Sequence, residues 1–215
     1  MRHASAHPRQ AGAEVGRLGS CQLCGLDEVG RGALAGPLVA AAVVLPEGFL
    51  VRVGPLARLV RDSKTLTRRQ RRLVEAAVRR HALTVQLELI PVADIEANGI
   101  GWANREVFRR LLSRTDADEY VVDGNLRPDV LEGRPGRVRS QVKADSLVPA
   151  VAAASIVAKV YRDGLMAAFH SQFPVYGWDR NAGYCTWEHV AALRAFGPCV
   201  YHRSAFVASA LSHRR

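Results

Sequence analysis

The chain has 215 residues, enough for one domain with a full apolar core, and no apolar run in it approaches the roughly 20 residues that cross a bilayer. Hydrophobic residues make up 48% and charged residues 23%, the balance of a globular domain rather than of a disordered or membrane-embedded chain. Thirty Lys and Arg against twenty Asp and Glu leave a formal charge of +10, which points toward a polyanionic partner, most simply nucleic acid, although an Arg-rich composition also serves solubility.

Residues 1–20 are polar, rich in Ala and Gly and aperiodic, so the expectation is a disordered tail followed by one domain over 21–215. The basic groups of that tail are not followed by the apolar segment of a secretory signal, which predicts a cytoplasmic protein with no membrane contact. Cys21 and Cys24 have redox or zinc-knuckle spacing but no second pair, and a strand follows where a redox pair would open a helix. Cys185 and Cys199 have His189 and His202 near them in sequence, with no spacing that demands a metal. Structural or incidental thiols are the favoured reading.

The pattern predicts a first strand over about Leu23–Asp27, a glycine-containing turn from Val29 to Pro37, and a second element over Leu38–Leu45. That second stretch is apolar at every position, as in a strand buried on both faces or a short buried helix segment. Its Val content and the flanking Gly36, Pro37 and Pro46 favour the strand. Strands joined by so short a connection are antiparallel. Asp27 and Glu28, placed against this apolar segment, are costly unless a cation, a metal or water compensates their charge.

Farther on, Thr67 with Gln70 forms a capping box that opens a helix to about His81. This helix carries Arg68, Arg69, Arg71, Arg72, Arg79 and Arg80, either a solvated basic face or one turned to a duplex. Alternation over Leu83–Leu89 predicts a half-buried strand, Pro91 to Gly99 a short helix, and Ile100 to about Arg114 an amphipathic helix. Tyr120–Val122 reads as a short buried strand ending at Asp123, and residues 127–139 as an Arg-, Pro- and Gly-rich loop. A long helix from Pro149 to about His170 has small residues at Ala152–Ser155 that allow close approach to a sheet. Thr186 caps a further helix stopped at Gly197–Pro198, and a final helix or irregular tail contains His202, Arg203 and Phe206. The element order is α/β, with an antiparallel start and helices gathered toward the C-terminal end.

Four acids stand at expected element ends: Asp27, Glu28, Asp123 and Asp145. An oxygen-only set suits a hard cation, Mg²⁺ or Mn²⁺, whereas zinc would draw His or Cys into the set. Acids holding such a cation amid basic surface are what phosphodiester hydrolysis requires. Each acid alone has the bland reading of a cap or surface ion pair, and adjacent strand residues point to opposite faces, so Asp27 and Glu28 converge only if the strand bends or ends there. The glycine turn Gly30–Gly36 does not fit a dinucleotide fingerprint, since a strand rather than a helix follows it, and it lacks the Gly-Lys-Ser/Thr ending of a phosphate-binding loop.

The motif Gly25-Leu26-Asp27-Glu28-Val29-Gly30-Arg31-Gly32-Ala33-Leu34-Ala35-Gly36-Pro37 closely resembles the opening motif of ribonuclease HII, the type 2 ribonuclease H of bacteria. The resemblance continues through Asp62-Ser63-Lys64-Thr65-Leu66, Asn98-Gly99-Ile100, Asp123-Gly124, Lys143-Ala144-Asp145, Ala152–Lys159, Arg162-Asp163, Gly183-Tyr184 to His189, and His202-Arg203 to Phe206, in family order. It implies a ribonuclease-H-like mixed sheet flanked by helices with a helical C-terminal part. It also implies a cut on the 5′ side of a ribonucleotide in RNA–DNA hybrids or in duplex DNA, with a 3′-hydroxyl and a 5′-phosphate as products. By the same resemblance Asp27, Glu28, Asp123 and Asp145 are the catalytic, metal-binding carboxylates for Mn²⁺ or Mg²⁺. Gly30, Arg31 and Gly32 match the turn that senses the ribose 2′-hydroxyl, Tyr184 the aromatic that packs on the following deoxyribose, and Ser63 and Lys64 residues near the substrate backbone. The implied partners are RNA–DNA hybrid and ribonucleotide-containing duplex DNA, acted on by a monomer. Three positions depart from the family pattern: Ala182 where a Lys usually precedes the Gly-Tyr pair, Cys185 where a Gly follows it, and Ala144 in place of Gly. Asp163 falls outside the metal set and reads as a structural partner or a supporting group.

Overall fold

The structure, a computed structural model, describes residues 21–61, 65–126 and 137–212. Its centre is a five-stranded sheet in the order β3-β2-β1-β4-β5, where β1 is Leu23–Val29, β2 Leu38–Val44, β3 Thr84–Ile90, β4 Glu119–Asp123 and β5 Arg137–Gln141. The β3-β2-β1 side is antiparallel, as the short β1–β2 connection requires, and β1-β4-β5 is parallel. The sheet is therefore mixed, and its parallel half lies next to the strand that carries Asp27 and Glu28.

β2 explains the uninterrupted apolar run. Leu38, Ala40, Ala42 and Val44 pack into one core with Leu26 and with Val107, Phe108 and Leu111 of α5 (Ile100–Arg114). The alternate residues Val39, Ala41 and Val43 pack on the other face, against Ala152–Ala154, Ile156 and Val157 of α6 (Pro149–Gln172) and against Val74 and Val78 of α3 (Arg68–His81). Every residue of β2 is fully buried, because helices cover both faces. α3 begins at Thr67 with the reciprocal capping box in place: the Gln70 amide donates to the Thr67 hydroxyl at 3.2 Å and the Thr67 amide to the Gln70 side chain at 2.9 Å.

α6 is seated where a side chain would stop it. A Cβ on Gly25 of β1 would fall 2.2 Å from the backbone of Ala150 and Val151, so the N-terminal turn of α6 rests directly on β1. The helix then runs past the end of the sheet to a third core, where Met166 meets Leu34, Ala35, Trp178, Tyr176, Leu193 and Val207. α7 (Trp178–Asn181), α8 (Trp187–Phe196) and α9 (Ser204–Ser212) build that C-terminal part. Within it the His189 and His202 rings are buried and 3.0 Å apart at their Nε2 atoms, with Trp178 Nε1 donating to His189 at 3.1 Å.

Some expectations shift. β1 runs to Val29 rather than ending at Asp27. Residues 137–139, expected in a loop, belong to β5, a polar edge strand whose charges keep the edge from pairing and also remove the apolar signal. Pro91 is the N-cap of α4 (Val92–Asn98) rather than its first residue. α1 (Phe49–Arg52) and α2 (Leu56–Arg61) are too short for periodicity to mark. The expected tail and the loop over 127–136 lie outside the described residues. Among the described residues, no helix is long and apolar enough to cross a membrane.

Candidate active site

Asp27, Glu28, Asp123 and Asp145 line one cavity of about 380 Å³, together with Val29, Arg71, Ser155, Ile156 and Lys159. They arrive from three segments. Asp27 and Glu28 sit opposite Ala41 and Ala40 in the β1–β2 ladder and so point to opposite faces, as the pleat demands. Both still border the cavity, because the β1–β4 pairing stops at Leu26–Val122 and β1 continues alone on that side. The strand need neither bend nor end; its neighbour ends instead.

Asp123 closes β4 and is held by the Ala144 amide, which donates to Oδ1 at 2.7 Å. Asp145 is buried in a 3₁₀ turn over Ala144–Ser146, entered through Lys143 at φ 60, a left-handed conformation uncommon outside glycine. Asp27 Oδ1 accepts from the Glu28 amide at 2.8 Å, and Ser155 of α6 hydrogen-bonds its side chain. Burial, and then the charges of Glu28 and Asp123, push the Asp27 carboxyl up to about 8. Burial raises Glu28 as well, against the lowering effect of Arg31, whose guanidinium stands 3.9 Å away.

Among the described residues, no three Asp, Glu, His or Cys side chains stand close enough together to hold a metal ion as placed; the four acids stand around the cavity wall. The donor set nonetheless fits a hard divalent cation. Its ligands would all be carboxylate oxygens, and the crowding that raises Asp27 is the kind a nearby cation offsets. The cysteines are free thiols, and the His189 and His202 rings are buried and hydrogen-bonded to each other.

The glycine turn lies beside this cavity and is tied to Tyr184. The Gly30 amide donates to Tyr184 Oη at 3.2 Å, and the Leu34 and Ala35 amides donate to the Gly183 carbonyl at 2.8 and 3.2 Å. Gly30 and Gly32 differ in kind. A Cβ on Gly30, at φ +92, would fall 2.1 Å from Arg162 Nε, whereas a Cβ on Gly32 would meet nothing within 4 Å. The first glycine makes room for the protein itself. The second leaves space on the outside.

Sequence reasoning placed none of several further neighbours at this cavity. Arg71 and Lys159 bring positive charge to the cavity, and Asp163 holds them: Lys159 Nζ donates to it at 2.6 Å and Arg71 stands 3.7 Å away. Asp163 thus pairs with two cations of the cavity wall and is not itself part of its lining. Ser155, Lys159 and Arg162 lie at i, i+4 and i+7 on α6, one face of a helix, and that spacing was available in the sequence. Arg203 is also fully buried, donating to the carbonyls of Gly36 (2.7 and 3.0 Å) and Arg31 (3.0 Å). Ser63 and Lys64 lie outside the described residues.

Comparison with known proteins agrees with this architecture. The family model described as Ribonuclease HII matches residues 24–208. The chain is 44% identical over 192 residues to Ribonuclease HII of Salinispora arenicola (strain CNS-205), covering 89% of this chain and 69% of that protein. It is 41% identical over 192 residues to Ribonuclease HII of Parafrankia sp. (strain EAN1pec), covering 89% and 77%. The structure of the PCNA:RNase HII complex from Archaeoglobus fulgidus contains a chain that superposes with a TM-score of 0.74 at 26% identity, over 85% of this chain and 93% of that one. The mixed sheet, its helical C-terminal extension and the sequence together place this chain in the ribonuclease HII family, as a type 2 ribonuclease H hydrolase.

Proposed function

We propose that this protein is an endoribonuclease that hydrolyses the phosphodiester on the 5′ side of ribonucleotides, both in RNA–DNA hybrids and at single ribonucleotides within duplex DNA. The products would be a 3′-hydroxyl and a 5′-phosphate, and the enzyme would act as a cytoplasmic monomer. The observation that carries the reading is the placement of Asp27, Glu28, Asp123 and Asp145 around one cavity beside a glycine turn bonded to Tyr184. The four carboxylates would hold Mg²⁺ or Mn²⁺, which when bound supplies Lewis-acid stabilisation of the phosphate and a lowered pKa for the attacking water.

The chain's own residues divide the remaining work. Ser155 and the Glu28 amide orient the Asp27 carboxylate, and the Ala144 amide orients Asp123. Lys159 and Arg71, fixed by Asp163, present positive charge to a phosphate entering the cavity. A 2′-hydroxyl is what separates one ribonucleotide from its DNA neighbours, and backbone amides and carbonyls are able to hydrogen-bond it. Gly32, with open space where a side chain would stand, lets a sugar approach the turn that Gly30, Arg31 and Gly32 form. Tyr184 presents its ring to the next sugar and rejects a misplaced one. Ser63 and Lys64 complete the proposed contacts to the substrate backbone.

The test is a DNA duplex carrying one ribonucleotide, incubated with Mg²⁺ or Mn²⁺ and mapped at nucleotide resolution. One nick 5′ to the ribonucleotide is expected, abolished by chelator and by Asp27→Asn. Equal cutting of an all-DNA control, or no cutting with either metal, would overturn the reading.

A further inference from the structure

Arg162 is fully buried on α6, and its hydrogen bonds run to main-chain carbonyls of two separate segments. Nε donates to Pro37 at 2.9 Å, Nη2 to Ala35 at 2.8 Å and Nη1 to Ala182 at 2.8 Å. The first two acceptors close the glycine turn, and the third belongs to the turn that delivers Tyr184. The same guanidinium lies 5.3 Å from the centroid of the Tyr184 ring and occupies the space that a side chain at Gly30 would fill. One planar cation therefore touches the backbone on both sides of the reading surface and the ring between them. Its fork is rigid, so the carbonyls it grips are held at fixed separation.

We infer that Arg162 is a positioning residue for selectivity: it sets the spacing between Tyr184 and the Gly30–Gly32 turn, and so the fit to a ribonucleotide followed by a deoxyribonucleotide. This rests on the proposed reading of that turn and of Tyr184. Arg162 is not among the residues that line the acid cavity, so it tunes which sugar is accepted without entering the set that would hold the cation. The Arg203 guanidinium donates to the Arg31 and Gly36 carbonyls and stiffens the turn from one side, whereas Arg162 grips the same turn and reaches Ala182.

The experiment compares kcat/KM for a duplex with one embedded ribonucleotide against kcat/KM for an all-ribonucleotide strand paired with DNA. In the hybrid the sugar after the recognised ribonucleotide also carries a hydroxyl, so the spacing to Tyr184 is read differently. Arg162→Lys, whose single ammonium cannot span three carbonyls, is expected to lower the embedded-to-hybrid ratio by about tenfold, equivalent to one lost charge-assisted hydrogen bond. In a Tyr184→Ala background the same change should leave the ratio where Tyr184→Ala alone puts it, because the spacing then has no ring to place. Metal affinity by calorimetry should equal that of the wild type in Arg162→Lys. Arg162→Gln, which keeps an amide donor without the charge, is measured alongside. An unchanged ratio in the folded variants, an equal loss in both backgrounds, or a fall in metal affinity would overturn the inference. Unfolding of both variants would overturn it too, by making Arg162 a core residue first. If the wild type shows no cutting at the embedded ribonucleotide, the failure belongs to the proposed function and not to Arg162.

Discussion

Gly30 and Gly32 are two residues apart, share one turn, and should fail in opposite ways when each is given a methyl group. At Gly30 the backbone sits at φ +92, where an L-residue costs about 1–2 kcal/mol. The new Cβ would also lie 2.1 Å from Arg162 Nε, displacing a buried guanidinium and its bond to Pro37, a further loss of about 1.5–3 kcal/mol. Gly30→Ala should therefore destabilise by about 2.5–5 kcal/mol, a large share of the roughly 5–15 kcal/mol typical of a domain. At Gly32 no atom stands within 4 Å of the added carbon, so the stability change should stay within about 0.5 kcal/mol. That open side is where the sugar is proposed to approach, and filling it should cut cleavage at an embedded ribonucleotide by roughly tenfold or more, the effect of a misplacement near 1 Å. Urea unfolding followed by tryptophan emission, with Trp178 buried as the reporter, measures the first quantity; nick formation measures the second. Equal destabilisation by the two substitutions would refute the packing argument. Wild-type cleavage by Gly32→Ala would refute the approach from that side.

Three further outcomes follow from the geometry. Burial, with the neighbouring His189, pushes His202 down to about 4 from an ordinary value of 6.5, so its contribution to stability is present above about pH 6.5 and is lost as pH falls toward 4. Asp27, raised to about 8, works in the opposite sense and its contribution is lost as pH rises through 8, so the wild type must be compared with His202→Gln. The difference in urea stability between the two, on the order of 2 kcal/mol at pH 7.5, should shrink by pH 4.5; a constant difference would mean His202 charges without penalty. Ala182, held at φ 48, should gain about 1 kcal/mol on replacement by Gly, read as a raised Tm; a lowered Tm would show that its methyl packing outweighs the strain. Asp163→Ala frees Lys159 and Arg71 from a partly exposed pair, costing under about 1 kcal/mol in stability while reducing kcat/KM several-fold; full activity would show that neither cation needs holding.

Much of this architecture was open to reading from the residues alone, and the places where it was not have physical causes. β2 announced itself because burial on both faces leaves no polar position, and α3 because its capping box is local chemistry. The four acids that line one cavity were picked out by type and by their expected place at element ends. β5 was hidden because an edge strand with Arg137 and Arg139 exposed and Ser140 and Gln141 after them carries no apolar run. The objection that Asp27 and Glu28 point apart was correct, and its resolution lies in where the neighbouring strand stops, a property of register between distant segments. Arg162 and Arg203 look like surface arginines in sequence. Only the fold shows that carbonyls, not carboxylates, accept their hydrogen bonds.

α6 connects the acid-lined cavity to the glycine turn and Tyr184. Ser155, Lys159, Arg162 and Met166 fall on one stripe of that helix, at i, i+4, i+7 and i+11. Ser155 touches Asp27 among the acids, Lys159 lies 5.5 Å from the Tyr184 ring centre, and Arg162 holds the two turns. Met166 then fills the space beneath Gly36 and Gly183, where side chains would collide with it. At 1.5 Å per residue, the step from Ser155 to Arg162 is about 10 Å along the axis. The glycine turn follows Glu28 directly at the end of β1, and the turn that carries Tyr184 is fixed against it by a buried helix rather than by the meeting of two loops. A helix packed on both the sheet and the C-terminal core has little freedom to stretch. On the proposed function, that rigidity is what converts recognition of one hydroxyl into a cut at one defined phosphodiester.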